Sequence, residues 1–376
     1  MIYVHVPYCR SFCTYCDFYS EICRKNASQQ VQNRIFGSYA DAVCDEIVAR
    51  RPEIDASRRG SGDAPDTLYF GGGTPSVLPV EVLERIVDAL GSRLYEEFTV
   101  EVNPDDIVSS GVSYVRRLLD LGVNRVSMGV QSMDDGILRW MNRRHDAAAA
   151  SEAVGILREG GVKNISIDLI FGLSQLSDAQ WTETLEKALQ LPVEHISAYQ
   201  LSIEEGSALG KMTAEGRYTE ASDEQCRRQY DILCGSLRQA GFNHYEISNW
   251  ARPGFEAVHN AAYWRRVPYV GLGPGAHSFS VDPEQRRSWN SELQQTCDGS
   301  IFWTASGETL SAQQSQEEMI MLALRTAAGL PLSALRGSQD IVRELMSSGA
   351  LVLSDGRVRI PEDHFFVSDD IISSLF

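Results

Sequence analysis

The sequence predicts an α/β protein whose larger part is an open barrel or a wound parallel sheet and whose smaller part is mainly helical. Over about the first three quarters of the 376 residues, six short β-rich runs alternate with longer segments of helical period. Six β–α units in series predict parallel strands joined by right-handed crossovers, and six fall short of the eight of a closed barrel. From about residue 285 the alternation stops, so we expect a first domain over 1–285 and a second over 286–376.

The predicted strands are short runs rich in β-branched and aromatic residues. They are 2–6, 67–70, 98–103, 125–131, 165–172 and 195–201. Two of the intervening helices are predicted from "VEVLERIVDALGSRL" (80–94) and "SYVRRLLDLG" (113–122), the second ending at Gly122 as a C-cap. The polar segments 24–33 and 55–66 are expected to be loops.

The C-terminal segment has a different pattern. "QEEMIMLALRTAAGL" (316–330) predicts an amphipathic helix. The tail from residue 349 predicts a hairpin, with "SDG" (354–356) as its turn, and then a final helix. These elements together predict a small domain similar to a winged helix.

Composition narrows the class of protein. The net charge is −17, from 51 acidic and 34 basic residues, which argues against nucleic acid as the main partner because phosphate binding needs a basic surface. No apolar run reaches about 18 residues, so no membrane span is expected. Five of the eight cysteines are scattered singly, as free thiols are in reducing compartments. We therefore expect a cytoplasmic protein.

The other three cysteines are clustered in "VPYCRSFCTYCDFYS" (6–20). Cys9, Cys13 and Cys16 follow the first predicted strand, and Phe18 stands where a fourth cysteine would be expected. Soft thiolates favour zinc or iron–sulfur clusters, both of which commonly take four protein ligands. Three thiolates therefore predict a cubane cluster with one iron open to a small molecule. A zinc site completed by a distant histidine and a redox-sensing thiol group remain alternatives.

Other polar groups follow or end later strands, where parallel sheets bind ligands. "GGGTPS" (71–76) contains glycines that let backbone approach a ligand closely, although an ordinary tight turn is an equal alternative. Glu101, Gln131 and Asp168 lie on three different apolar strands, where a polar side chain needs a partner. Together they predict one site that holds amino-acid and ribose groups.

The C-x3-C-x2-C spacing, with Tyr15 between the last two cysteines, resembles the radical S-adenosylmethionine (SAM) superfamily. More motifs, among them "LYFGGGTPS", "EVNPDD" and "HYEISNWARPG", resemble the family of oxygen-independent coproporphyrinogen III dehydrogenase (HemN) and the heme chaperone HemW. The resemblance implies a partial (β/α)6 barrel and a [4Fe-4S] cluster whose open iron chelates SAM. It also implies that an electron from the cluster can cleave SAM to a 5′-deoxyadenosyl radical.

The resemblance also assigns residues. It implies that Cys9, Cys13 and Cys16 are the cluster ligands. The SAM contacts that it implies are Tyr3, Tyr15, Gly72, Gly73, Thr74, Glu101, Gln131, Arg143 and Asp168.

Three features favour the heme-chaperone branch of the family. Phe18 replaces the fourth cysteine usual in the decarboxylating enzyme, and the chain reaches Cys9 without that enzyme's N-terminal extension. "HNAAYW" matches the HNxxYW motif associated with heme binding, which implies heme contacts at His259, Tyr263 and Trp264. Imidazole is a common axial ligand of heme iron, but on the residues alone a buried Tyr–Trp pair at the barrel edge is the favoured alternative.

The function implied is that of a heme chaperone with a SAM-bound cluster, which delivers heme to acceptor hemoproteins. Membrane-associated respiratory proteins are candidate acceptors, an electron donor is a further partner, and no nucleic acid is expected. The alternative is oxidative decarboxylation of coproporphyrinogen III, disfavoured by the same three features. A radical enzyme acting on RNA is disfavoured by the acidic charge, and a structural zinc protein would leave Glu101, Gln131 and Asp168 unexplained.

Overall fold

Six parallel strands, hydrogen-bonded to one another in chain order, form the centre of the fold. They are Ile2–Val6 (β1), Thr67–Gly72 (β2), Glu97–Val102 (β3), Arg125–Gln131 (β4), Asn164–Phe171 (β5) and His195–Gln200 (β6). The computed structural model describes residues 1–23, 28–59, 64–91, 93–282, 284–297, 299–335 and 339–376. All six predicted strands are confirmed: 2–6 and 125–131 agree at both ends, and the other four differ by at most two residues at an end.

Three further strands extend this sheet at its two edges. Val270–Leu272 pairs parallel with β1, whereas Asn249–Ala251 pairs antiparallel with β6 and is followed by Asn243–Glu246. Across the described residues the sheet therefore has nine strands, and its two end strands are not paired with each other. The predicted open barrel is confirmed.

Helices connect the strands. They are Gln29–Ala49, Arg51–Arg59, Val80–Leu90, Pro104–Asp120, Asp135–Trp140, Ala147–Gly160, Asp178–Leu189, Ala208–Ala214, Asp223–Gln239, Val258–Trp264, Ala312–Leu324, Gln339–Ser347 and Ser368–Ser373. Gly122 has a φ of 103° just beyond Pro104–Asp120, which confirms the predicted C-cap. The loop prediction was wrong for 29–33 and 55–59, which are helical, because neighbouring apolar residues such as Phe36 and Ile54 pack those helices onto the core. Residues 24–27 and 60–63 lie outside the described part of the chain.

Side chains along the barrel strands alternate between two faces. The face toward the helices is apolar and buried, and consists of residues such as Val4, Phe70, Val100, Met128 and Ile167. The other face lines the barrel interior and is polar; it carries Tyr3, Tyr69, Glu97, Glu101, Arg125, Ser127, Asp168, Ser197 and Tyr199. The interior is thus a binding surface more than a hydrophobic core.

The C-terminal part combines helices with small sheets. His277–Ser280, Arg286–Asn290 and Ala305–Thr309 form one three-stranded sheet, so the boundary predicted after residue 285 falls between two of its strands. Leu330–Pro331, Val352–Ser354 and Arg357–Arg359 form another. The predicted hairpin is confirmed, with positive φ at Asp355 and Gly356 in its turn.

Shorter elements complete the chain. Two-residue strand pairs join Tyr8–Cys9 to Glu21–Ile22 and Gln294–Gln295 to Ile301–Phe302. Turns of 3-10 helix occupy Pro75–Val77, Leu332–Ala334 and Glu362–Val367. No helix among the described residues is both long and apolar enough to cross a membrane.

Candidate cluster and cofactor site

The three clustered cysteines line one cavity at the carboxyl ends of the barrel strands. Cys9, Cys13 and Cys16 all contribute to its wall, and its volume is about 620 Å³. The loop is folded back by the parallel pairing of Tyr8–Cys9 with Glu21–Ile22. Burial raises the pKa of Cys9 and raises that of Cys16 to about 11. These thiols therefore need a metal or a cationic partner to become thiolates at neutral pH.

Arg143 supplies such a cation to Cys13. Its Nη1 lies 3.3 Å from the Cys13 Sγ, and its Nη2 donates to Asn103 Oδ1 at 2.7 Å and to the Gly129 carbonyl. Although burial by itself lowers the pKa of Arg143, the neighbouring Tyr15 and Cys13 raise it overall, so the guanidinium stays charged. Arg143 therefore connects the cysteine loop to β4 and to Asn103, the residue that follows β3.

The glycine turn after β2 packs directly beneath the cysteine loop. Gly72 has a φ of 108°, and a Cβ there would lie 2.5 Å from the His5 ring. At Gly73 a Cβ would lie 2.8 Å from the Tyr8 carbonyl oxygen. The two glycines are therefore required sterically, because no larger residue allows this approach. Thr74 follows, with its Oγ1 3.5 Å from the Cys9 Sγ.

Two partly buried carboxyl groups, Glu101 on β3 and Asp168 on β5, face this cavity from either side of β4. Glu101 accepts hydrogen bonds from the Tyr69 hydroxyl at 2.7 Å and from the Gly72 backbone N–H at 3.1 Å. Burial nevertheless raises the pKa of Glu101 to about 7. Burial also raises the pKa of Asp168, which accepts from Ser127 at 3.5 Å. A cationic ligand would favour the ionised form of both groups.

Gln131 lies where the pairing of β4 with β5 shifts register. Its φ is 68°, a conformation that costs energy for a residue with a side chain. A Cβ at Gly129 would lie only 2.7 Å from Gln131 Nε2, so the strained residue folds its side chain over a glycine. Such strain is typical of ligand-binding positions.

A second cavity, the lower cavity, lies nearer the amino ends of the barrel strands and has a volume of about 460 Å³. The cysteine-lined cavity is called the upper cavity. It shares wall residues with the first cavity, namely Glu101, Ser127, Asp168 and Tyr199. The predicted heme contacts His259, Tyr263 and Trp264 line it. Tyr3, predicted as a SAM contact, also lines this lower cavity and not the upper one, whereas the other predicted SAM contacts line the upper one.

His259 is completely buried and hydrogen-bonded through both ring nitrogens. Its Nδ1 lies 2.7 Å from Thr67 Oγ1, and its Nε2 lies 2.9 Å from the Tyr263 hydroxyl oxygen. Burial lowers the pKa of His259 to about 3, so the imidazole is neutral. Coordination of an iron by this side chain therefore requires one of the two hydrogen bonds to break.

Sequence reasoning missed two sets of residues. Asp106 is buried and forms ion pairs with Arg10 of the cysteine loop at 3.1 Å and with Arg144 at 3.0 Å. It also accepts a hydrogen bond from the Ser76 hydroxyl at 2.9 Å. It fixes the cysteine loop to the first turn of Pro104–Asp120, and the doubled acid in "NPDD" was the only hint. The second set is the polar interior of the barrel, which includes Arg125; the alternation of polar and apolar residues along each strand was the available signal.

Comparison with known proteins agrees with this geometry. Residues 3–188 match the Radical SAM superfamily. The heme chaperone HemW of Synechocystis sp. is 35% identical over 350 residues, which cover 89% of this chain and 79% of the relative. The heme chaperone HemW of Mycobacterium tuberculosis is 30% identical over 389 residues, which cover 100% and 94%. This chain belongs to the HemW family.

The fold of this HemW-family chain is also found in a solved structure. Coproporphyrinogen III oxidase (HemN) from Escherichia coli, a radical SAM enzyme, superposes with a TM-score of 0.77 over 100% of this chain and 89% of that one. Because the two are 20% identical, the likeness concerns the fold alone. It confirms the radical-SAM partial barrel and the small C-terminal part.

Superfamily membership implies SAM and a [4Fe-4S] cluster for a HemW-family chain. The donor set fits, since three thiols face one cavity and a charged arginine lies against one of them. The adjoining wall offers carboxyl groups for a cationic ligand and glycine backbone for a close approach. The individual SAM and heme contacts stay predictions.

Proposed function

We propose that the protein is a cytoplasmic heme chaperone that binds heme and transfers it to acceptor hemoproteins. One observation carries the proposal: the residues of the HNxxYW motif line a cavity whose wall is partly that of the cysteine-lined cavity. A cargo bound at His259, Tyr263 and Trp264 would therefore lie next to the cofactor site. The names of the relatives in Synechocystis and Mycobacterium tuberculosis support this function.

In this proposal Cys9, Cys13 and Cys16 hold the [4Fe-4S] cluster. A cluster held there would supply an open coordination position and one-electron redox chemistry. The glycine turn and Thr74 would receive the amino-acid end of SAM, since Gly73 lies against the Tyr8 backbone and Thr74 Oγ1 lies 3.5 Å from the Cys9 sulfur.

The remaining proposed contacts act through charge and hydrogen bonding. Glu101 and Asp168 would each place a carboxylate against the cationic ligand, and its charge would in turn keep them ionised. Gln131 and Tyr15 would complete the wall, with Arg143 holding the cysteine loop in place.

The alternative function is the oxygen-independent oxidation of coproporphyrinogen III. The fold shared with HemN favours it, and every proposed cluster and SAM residue would serve it equally. Against it stands Phe18, which lines the cavity with 71% of its surface exposed and supplies no fourth thiol. We therefore place heme carriage first.

The proposed partners are those that a protein carrying heme needs. Acceptor hemoproteins, including membrane-associated respiratory proteins, would receive heme, and an electron donor would reduce the cluster. The net charge of −17 gives no support to a nucleic-acid partner.

The test compares both functions in one anaerobic preparation of the cluster-loaded protein. Heme binding is read from the absorption spectrum, and transfer from the spectrum of an added apo-hemoprotein. In parallel, SAM, a reductant and coproporphyrinogen III are supplied, and decarboxylated product and methionine are quantified. Heme binding and transfer without decarboxylation support the chaperone. Decarboxylation coupled to SAM turnover, without heme transfer, would overturn the chaperone proposal and support the oxidase function.

A further inference from the structure

Arg125 is a buried cation whose guanidinium has unsatisfied hydrogen-bond donors in the described part of the chain. It stands at the start of β4 on the interior face of the barrel, and only 1% of its surface is exposed. Its Nε and Nη1 atoms are buried and make no hydrogen bond among the described residues. Burying an unpaired charge is energetically unfavourable, so a guanidinium in this position favours the binding of an anion.

The nearby carboxylates act on Arg125 through their charge but do not hydrogen-bond to its buried Nε and Nη1 atoms. Glu97 accepts from the backbone N–H groups of Val258 at 2.7 Å and His259 at 3.1 Å, and from Thr99 at 3.2 Å. Asp168 accepts from serine hydroxyls. Among the described residues, neither carboxylate accepts a hydrogen bond from Arg125 Nε or Nη1. Although burial alone lowers the pKa of Arg125, the charges of Glu97 and Asp168 raise it overall, so the guanidinium stays charged.

Arg125 lines the lower cavity together with the HNxxYW residues. The cavity also has hydroxyl groups from Tyr3 and Ser197 in its wall. A guanidinium offers a planar fork of N–H donors that matches a carboxylate in a bidentate arrangement. The lower cavity thus combines aromatic surface for a flat ligand with one fixed cation for an acidic substituent.

We propose that Arg125 binds a carboxylate of the ligand that occupies the lower cavity. This inference rests on the proposed function, under which the carboxylate is a propionate of heme. Arg125 then orients the cargo, with one propionate directed to the interior start of β4 and the macrocycle against Tyr263 and Trp264. The side chain would be satisfied only when the cavity is loaded.

The test compares hemin with hemin dimethyl ester, in which both carboxylates are masked. Each is titrated into the full-length protein and followed by its Soret band. We expect the unaltered protein to bind hemin at least about tenfold more tightly than the diester, as charge-assisted hydrogen bonds predict. Arg125→Gln should lose that preference, and Arg125→Lys should retain part of it because it keeps the charge without the fork.

The matched control is Arg217→Gln, because Arg217 is an exposed arginine that lines neither cavity. It should keep the full preference for hemin. Circular dichroism and thermal melting check that each variant folds, and the comparison in the unaltered protein needs no variant.

The outcomes separate the two proposals. If the unaltered protein binds neither hemin nor the diester, the proposed function fails. If it binds both with equal affinity, heme carriage stands and the role of Arg125 is overturned. If folded Arg125→Gln keeps the preference for hemin, the carboxylate is bound elsewhere and the inference is also overturned.

Discussion

The guanidinium of Arg143 lies 3.3 Å from the Cys13 sulfur while its other nitrogen binds Asn103 at 2.7 Å. One side chain thus joins the cysteine loop to Asn103, the residue between β3 and the helix Pro104–Asp120. We expect Arg143→Lys to keep the charge near Cys13 but lose the bridge, because an ammonium group has no fork. SAM affinity should fall about tenfold or more, as the loss of one or two charged hydrogen bonds implies.

The measurement for this variant is equilibrium SAM binding, with iron and sulfide content determined in the same samples. Arg139→Lys, at an exposed arginine on the neighbouring helix Asp135–Trp140, is the control. Unchanged SAM affinity in a cluster-loaded Arg143→Lys protein would show that the bridge is dispensable.

The raised pKa of Glu101 predicts a pH dependence of SAM binding. Burial raises this pKa from 4.5 to about 7, so the free protein carries the proton below pH 7. A cationic ligand binds the carboxylate form better, and SAM affinity should therefore increase as pH rises through 7 and then level off. Glu101→Gln should remove this dependence and lower affinity at pH 8. A pH profile that is identical in Glu101→Gln would exclude Glu101 as its origin.

The same shift predicts how the ligand-free protein responds to pH. A carboxyl group with a raised folded-state pKa contributes stability that is fully present below pH 4.5 and is lost as pH rises through about 7. Glu101→Gln should therefore make the free energy of unfolding less sensitive to pH between 4.5 and 7. Chemical denaturation at several pH values measures this, and a variant with an unaltered slope would contradict it.

The close contact at Gly73 predicts that any side chain at this position lowers the stability of the fold. A Cβ would lie 2.8 Å from the Tyr8 backbone oxygen, which cannot move without displacing the cysteine loop. We expect Gly73→Ala to destabilise the fold by about 1–3 kcal/mol and to lower cluster retention. The control is Gly155→Ala, in a helix where a Cβ would meet nothing within 4 Å, and it should be neutral or stabilising. Equal stability and equal iron content in the two variants would contradict the prediction.

Glu362 attaches the C-terminal segment to the barrel. It pairs with Arg238 at 2.8 Å and with His244 at 3.3 Å, and these partners lower its pKa to about 2 despite partial burial. Its contribution to stability is thus present above pH 4.5 and is lost as pH falls toward 2. Because the carboxylate is 36% exposed, we expect Glu362→Gln to cost no more than about 1 kcal/mol at pH 7.

Denaturant unfolding at pH 7 and pH 3 measures this difference, with exposed Glu344→Gln as the control. The gap between Glu362→Gln and the unaltered protein should narrow at the lower pH. A gap that is unchanged or wider at pH 3 would mean that the carboxylate charge is not what stabilises this contact.

Strand positions and the cysteine loop could be predicted because local patterns encode them. The β-rich runs and the spacing of Cys9, Cys13 and Cys16 need no knowledge of the rest of the chain. Contacts such as Asp106 with Arg10, or His259 with Thr67, join residues far apart in sequence. Such pairs depend on how the barrel closes, and nothing in the local sequence specifies them.

The polar interior of the barrel could have been predicted from the alternation of residues along the strands. Arg125, Ser127 and Gly129 alternate with Val126 and Met128 along β4, a period of two that marks one face of a strand. The buried charge at Arg125 could not be anticipated, because only the folded chain shows that its neighbours already have partners.

The wall shared by the two cavities has a thermodynamic consequence. Glu101, Ser127, Asp168 and Tyr199 face both spaces, so a ligand in either one alters the surroundings of the same four side chains. Any factor by which a ligand in the upper cavity changes affinity in the lower one must then operate equally in the reverse direction. Under the proposed function, the affinities for the cofactor and for heme would thus be coupled without direct contact between the two ligands.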